Sequence, residues 1–180
     1  MHCVRIQFPL QIEHFLDMEY NMFTFQSLPK HLQDLIFLHL KSRYPEEGCG
    51  LIFLDKKENE YIVFPVMNKQ DDDIYVISDG KRITDKTNSF IMDLDYLMNI
   101  VFFFHASKKY SYVCQYHSHI DCDELYMSHM DKYFAMDLDN IEVPFYENLT
   151  HMIFSVKKKK IIEVKCYKWN IIEKDFIEIK

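Results

Sequence analysis

Glycine is nearly absent from this chain. Only Gly48, Gly50 and Gly80 occur in 180 residues, where average usage would give about a dozen. Loops that wrap a phosphate depend on closely spaced glycines, and neither GxGxxG nor GxxxxGK[ST] occurs anywhere. Nucleotide-cradling folds are thereby excluded. Two of the three glycines flank one cysteine, in Glu47-Gly48-Cys49-Gly50, a tight strand entry where no side chain blocks the approach of backbone. The rest of the composition builds a core: 48% apolar, 16% aromatic and only five prolines. That excludes disorder. A chain of this length can bury roughly 70% of its unfolded surface in one self-sufficient domain.

Acidic residues outnumber basic ones, 28 against 21, for a net charge of −7. A nucleic-acid partner, which needs a basic face, is therefore not expected, and the run Lys157 to Lys160 reads as a solvated hairpin turn. The five cysteines, Cys3, Cys49, Cys114, Cys122 and Cys166, are odd in number and form no CxxC pair. They support neither a disulfide framework nor a Cys-rich zinc cage, and point to a reducing compartment. Arg5, Gln7, Gln11, Glu13 and His14 interrupt the apolar residues at the N-terminus, leaving no signal-peptide core. The longest apolar stretch, Ile100 to Phe104, is far short of the ~20 residues of a membrane span. The expectation is a soluble, cytoplasmic protein with no membrane partner.

Over Lys30 to Lys41 the residues Leu32, Leu35, Ile36 and Leu40 fall at helical spacing, with Pro29 near the first turn and Tyr44-Pro45 as the stop. Gly50 to Leu54 and Tyr61 to Met67 are short apolar runs joined by a polar connection, a hairpin pattern. Asp71 to Asp73 and Ser78 to Asn88 read as loop around the apolar run Ile74 to Ile77. A second amphipathic helix is expected over Leu94 to Ala106, a strand over Tyr110 to His117 and a helix over Ser128 to Met136. Strands are expected over Met152 to Val156, Ile161 to Trp169 and Ile171 to Ile179. Helices between sheet strands, with hairpins at both ends, indicate a mixed α/β or α+β sandwich. Residues 1–27 lack a clear period and read as an N-terminal extension.

The chemistry concentrates in His117-Ser118-His119, followed by Ser128-His129-Met130-Asp131. On a strand, residues i and i+2 project from one face, so His117 and His119 can bring two imidazole nitrogens to one point. A carboxylate from the following helix completes three ligands. Two His and one carboxylate, with a fourth position for water, is the composition of a catalytic zinc site, and such a metal lowers the pKa of its water toward ~7. An HxH pair among nine histidines can also be accidental, and Ser128-x-x-Asp131 fits a helix capping box. Capping and metal binding are compatible, since the cap can position both side chains while they face the ion.

Together with Tyr44-Pro45-Glu46-Glu47-Gly48-Cys49-Gly50 upstream, these residues resemble the JAMM family, also called MPN+ or JAB-domain metalloproteases. The family's pattern is a Glu ahead of a Cys-Gly strand, then H-[ST]-H, a spacer and S-x-x-D. Phe145 to Glu178, with its strands LTHMIFSV and IIEVKCYKW, is similar to the tail of the prokaryotic single-domain branch. The likeness covers about residues 28 to 178 and implies a metalloprotease domain over 28–180. The fold it implies is a three-layer α/β (α+β) arrangement, with a curved mixed β-sheet packed between helices as in cytidine deaminases.

Carried over residue by residue, the resemblance implies one zinc ion per chain held by His117, His119 and Asp131. It makes Glu47 the general acid/base and Ser128 the donor to the oxyanion. Glu46 competes for the role of base, but the family's single residue between Glu and Cys selects Glu47. This entry would then lie beside the catalytic water. The spacer Ile120 to Met127 is one residue longer than is usual in the family, and Ile120 stands where most members have proline. If that residue displaces the helix, Asp121, Asp123 or Glu124 becomes the alternative ligand. Cys49 reads as a buried strand residue rather than a nucleophile, and Cys122 lies in the loop beside the site.

The implied activity is hydrolysis of the amide bond after the C-terminal diglycine of a ubiquitin-like or sulfur-carrier protein. Two other classes stand beside it. One is a non-catalytic scaffold of the same fold that binds proteins. The other is an HxH site for metal storage or sensing, which needs neither Glu47 nor Ser128.

Overall fold

The structure, a computed structural model, describes residues 23–70, 86–92, 99–100, 103–104, 107–137, 140 and 142–180. Helix α1 (Lys30–Arg43) starts directly after Pro29 and stops at Tyr44, where the following Pro45 disfavours helical backbone. It turns only Ile36 and Leu40 fully inward. Strands β1 (Cys49–Asp55) and β2 (Glu60–Val66) form the expected hairpin. Strand β3 (Tyr110–Ile120) extends past His117, its expected end. Helix α2 (His129–Ala135) follows, then β4 (Thr150–Lys157), β5 (Lys160–Asn170) and β6 (Asp175–Ile179).

The six strands make one sheet in the order β2-β1-β3-β4-β5-β6. All neighbours are antiparallel except β3 and β4, which are parallel, so the sheet is mixed. Strand alternation then divides the side chains. Ile52, Cys114, Tyr116, Met152 and Phe154 face the layer formed by Ile36 and Leu40 of α1 with Phe25 and Leu28. The opposite face carries two separate clusters. One is Cys49, Leu51, Phe53, Val66, Met92 and Phe104. The other is Leu125, Met127, Ile153, Tyr167 and Phe176, against which Ala135 and Met136 at the end of α2 pack. The fold is therefore mixed α+β, with helix, sheet and helix in layers. Each fully buried aliphatic or aromatic side chain contributes roughly 1.5–3 kcal/mol.

The strand-entry glycines open toward α1. A Cβ at Gly48 would stand 2.8 Å from Leu40 Cδ2, and one at Gly50 would stand 2.4 Å from the Tyr116 ring and 2.5 Å from the Phe64 carbonyl oxygen. They let the helix and Tyr116 close on β1, on the side away from the histidines.

Ile171 to Ile179 is not all strand. The Asn170 side chain accepts from the N–H groups of Ile172 and Glu173 at 2.9 and 3.1 Å, an Asx turn that delays β6 to Asp175. Ile171 and Ile172 are left 74% and 90% exposed. Lys158 and Lys159 form the β4–β5 turn with left-handed φ values of 46° and 63°. The helix expected over Leu94 to Ala106 lies mostly outside the described residues, and 99–100 and 103–104 within it are helical. The loop and apolar run expected over 71–85, and residues 1–22 of the N-terminal extension, also lie outside them. Cys49, Cys114, Cys122 and Cys166 are free thiols. No helix among the described residues is long and apolar enough to cross a membrane.

Candidate metal centre

The two clusters on the second face leave a gap at β3, and His117 and His119 occupy it. Their Nε2 atoms are 3.1 Å apart. Helix α2 brings Asp131 opposite, with Oδ1 3.2 Å from His117 Nε2 and Oδ2 3.2 Å from His119 Nε2. Donor atoms on a tetrahedral ion with bonds of about 2.0–2.1 Å are separated by about 3.3–3.4 Å. The observed separations of 3.1–3.2 Å are close to that spacing, with each imidazole facing a different oxygen of the carboxylate. Two nitrogens and a carboxylate oxygen are also ligands suited to zinc. The His117-His119-Asp131 group could thus hold a metal ion.

The start of α2 fixes the carboxylate. Ser128 Oγ accepts from Asp131 N at 3.1 Å, and Asp131 Oδ2 accepts from Ser128 N at 2.8 Å, a reciprocal capping box whose acid also faces both histidines. Burial opposes the charge on Asp131, but the imidazoles of His117 and His119 outweigh it and hold the carboxyl well below the usual carboxylate range. The Ser128 hydroxyl is an acceptor in the cap, so its own hydrogen stays available to another acceptor.

The longer spacer does not displace this acid. The chain turns at Asp121 with φ 50°. Asp121 accepts from Tyr44 Oη at 2.9 Å and from Lys158 N at 3.3 Å. Asp123 pairs with Lys157 at 3.2 Å, and Glu124 is exposed. Asp131 is the carboxylate that reaches the histidines.

Glu47 approaches from β1. Cys49 pairs with His117 in the β1–β3 ladder, and the ladder continues one step as Ser118 N donates to Gly48 O at 3.0 Å. Glu47 is the next residue, at the entry of β1. Its residue is 4% exposed, and burial together with the nearby Glu47 carboxylate pushes the Cys49 thiol up to about 12. A thiol so shifted stays protonated at neutral pH. Glu46, by contrast, is ion-paired with Arg43 at the end of α1.

A profile described as prokaryotic homologs of the JAB domain matches residues 29–167. This chain belongs to that family. Among solved structures it is similar to the solution structure of protein DSY2949 from Desulfitobacterium hafniense, with a TM-score of 0.56, 18% identity, and 85% of this chain and 88% of that chain covered. A solution structure of a protein from Salinibacter ruber aligns over the same shares at 18% identity with a TM-score of 0.49. No curated protein matches the sequence.

The JAB-domain pattern accounts for Glu47, His117, His119, Ser128 and Asp131, but other residues complete the surroundings. The Phe90 ring lies 4.6 Å from that of His117, inclined by 31°, and Tyr126 meets His119 edge-on at 6.4 Å. His117 is 2% exposed, and its Nδ1 has no hydrogen-bond partner among the described residues. The ring is held by its Nε2 contact with Asp131 and by the tilted Phe90 ring against it. Asn68, buried beside the β1 entry, bonds to Glu47 O at 3.1 Å. No sequence pattern marked Asn68 or Phe90, because their roles arise from contacts between segments far apart in the chain.

Proposed function

We propose that this protein is a zinc-dependent peptidase or isopeptidase. It would hydrolyse the amide bond after the C-terminal diglycine of a ubiquitin-like or sulfur-carrier protein. The observation that supports this reading is the convergence of three suitable ligands, together with a buried glutamate at the entry of β1, two residues before the Cys49 that pairs with His117. A storage or sensing site would need the ligands but no such acid.

His117, His119 and Asp131 would hold zinc, which supplies Lewis acidity and a water of lowered pKa. Glu47 accepts a proton from the attacking water and returns it to the leaving amine, a role worth about 10²–10⁴ in rate. The Ser128 hydroxyl donates to the oxygen of the attacked carbonyl as it gains charge, a contact worth about 3 kcal/mol. Cys49 takes no part, since its thiol is held neutral. An extended diglycine tail suits the fold because β2 lies at the edge of the sheet, where a peptide strand can be read through its backbone.

The test is incubation with a fusion that carries a ubiquitin-like domain and a diglycine tail, with and without chelator. Chelation should abolish cleavage. Glu47→Gln should lower kcat by about 10²–10⁴, and Glu46→Gln should stay near wild type. Cleavage that survives both chelation and Glu47→Gln refutes the mechanism, and stoichiometric zinc binding without cleavage favours storage or sensing.

A further inference from the structure

Glu47 precedes β1, so it lacks the paired backbone bonds that fix a strand residue. Both of its main-chain polar groups are nevertheless engaged: its N–H donates to Lys86 O at 2.6 Å, and its carbonyl accepts from Asn68 Nδ2 at 3.1 Å. Asn68 is 2% exposed and uses the full capacity of an amide, two donations and two acceptances. Its Nδ2 also donates to Ser89 O at 3.1 Å, while its Oδ1 accepts from Gln70 N at 2.9 Å and from Ile91 N at 3.1 Å. Ser89 and Ile91 flank Phe90, whose ring packs against that of His117. Lys69 N donates to Ile91 O at 2.7 Å, and Asn68 bridges to Met92, so the whole segment is fastened to the exit of β2.

We propose that Asn68 is a positioning residue that sets two parts of the site at once, the backbone of Glu47 and, through Phe90, the imidazole of His117. A metal-bound histidine is ordinarily oriented by a hydrogen bond to its other ring nitrogen. His117 Nδ1 has none among the described residues, and the Phe90 ring packs against the imidazole at 4.6 Å, so the amide that holds the neighbours of Phe90 also bears on the orientation of His117. The proposal rests on the metallopeptidase reading for the role of Glu47, but its metal half stands without it.

The test uses Asn68→Asp and Phe90→Ala in the full chain. Asn68→Asp keeps the acceptances from Gln70 and Ile91 and sets a carboxylate oxygen against two carbonyls. Zinc affinity is read by competition with a chromophoric chelator, and ligand geometry by the visible absorption of the Co²⁺ form. Both variants should weaken metal binding by about 10–100-fold, the usual effect of losing an orienting partner, with an altered Co²⁺ spectrum. With the diglycine fusion as substrate, zinc-saturated Asn68→Asp should lose kcat while KM holds, and zinc-saturated Phe90→Ala should lose much less. Wild-type affinity and an unchanged Co²⁺ spectrum in Phe90→Ala overturn the His117 half, whether or not Asn68→Asp folds. If the wild type cleaves nothing, the peptidase reading fails and the metal measurements still decide this one.

Discussion

Gly50→Ala is a small change with a large expected effect. The added methyl would stand 2.4 Å from the Tyr116 ring and 2.5 Å from the Phe64 carbonyl oxygen, both far inside van der Waals contact. Phe64 O belongs to the β1–β2 ladder and moves only if the strands part. Tyr116 is fully buried, packs edge-on against Phe154, and bonds through its hydroxyl to His39 Nδ1 at 3.1 Å. Overpacking of such a site costs about 1–3 kcal/mol, and losing the Tyr116–His39 bond adds about 1 kcal/mol. The stiffer unfolded chain returns about 0.4–1 kcal/mol. The expected net destabilisation is about 2–3 kcal/mol, or roughly 5–10 °C in Tm for a domain of this size. Urea and thermal unfolding measure it. In a Tyr116→Leu background the ring is gone, so Gly50→Ala should add a smaller penalty, with a coupling of at least about 1 kcal/mol between the sites. A Gly50→Ala protein as stable as wild type, or a double mutant whose effects simply add, would refute the close-approach argument.

Ser128→Ala should remove about 1 kcal/mol of stability as the α2 cap is lost, and lower kcat by about 10²–10³. Denaturation and steady-state kinetics separate the two effects. Stability should also fall in mild acid. Burial, with Arg43 beside it, lowers His39 to about 4, and burial, with His117 near it, lowers His151 to about 4. Below about pH 6.5 the unfolded chain takes up protons that these two folded residues refuse. Their contribution is therefore intact above pH 6.5, is lost as pH drops toward 4, and levels off below. The loss is of the order of 3 kcal/mol for the buried His151 and less for the partly exposed His39. Urea midpoints from pH 8 to 4 test this, and His151→Gln should flatten the profile.

The parts of the site that lie close together in the chain were legible in its sequence. His117 and His119 share a face because β3 alternates, and Ser128 and Asp131 meet because a capping box spans one turn. Glu47 became visible only through the spacing of its motif, since nothing local separates it from Glu46. The ion pair of Glu46 with Arg43 does. Asn68 was invisible, because three of its four hydrogen bonds go to backbone atoms of distant residues and leave no period or composition to read. The error at Ile171 and Ile172 is of the opposite kind. Apolar residues implied a strand, but the side chain of Asn170 supplied the hydrogen bonds of a turn and left them in solvent. The scarce glycines marked a close approach, without telling from which side of the sheet it comes.

Chain separation has a consequence for assembly. The three donors lie within a short stretch, His117 to Asp131, closed by one strand end and one helical turn. Closing so small a loop carries little entropy, and such local contacts form early in folding. Glu47 and Asn68 arrive only when β1 and β2 dock on β3, a long-range and slower event. On the proposed metallopeptidase reading, metal capture and reactivity would thus be separable in time. A chain halted between the two stages could hold an ion that has no acid beside it.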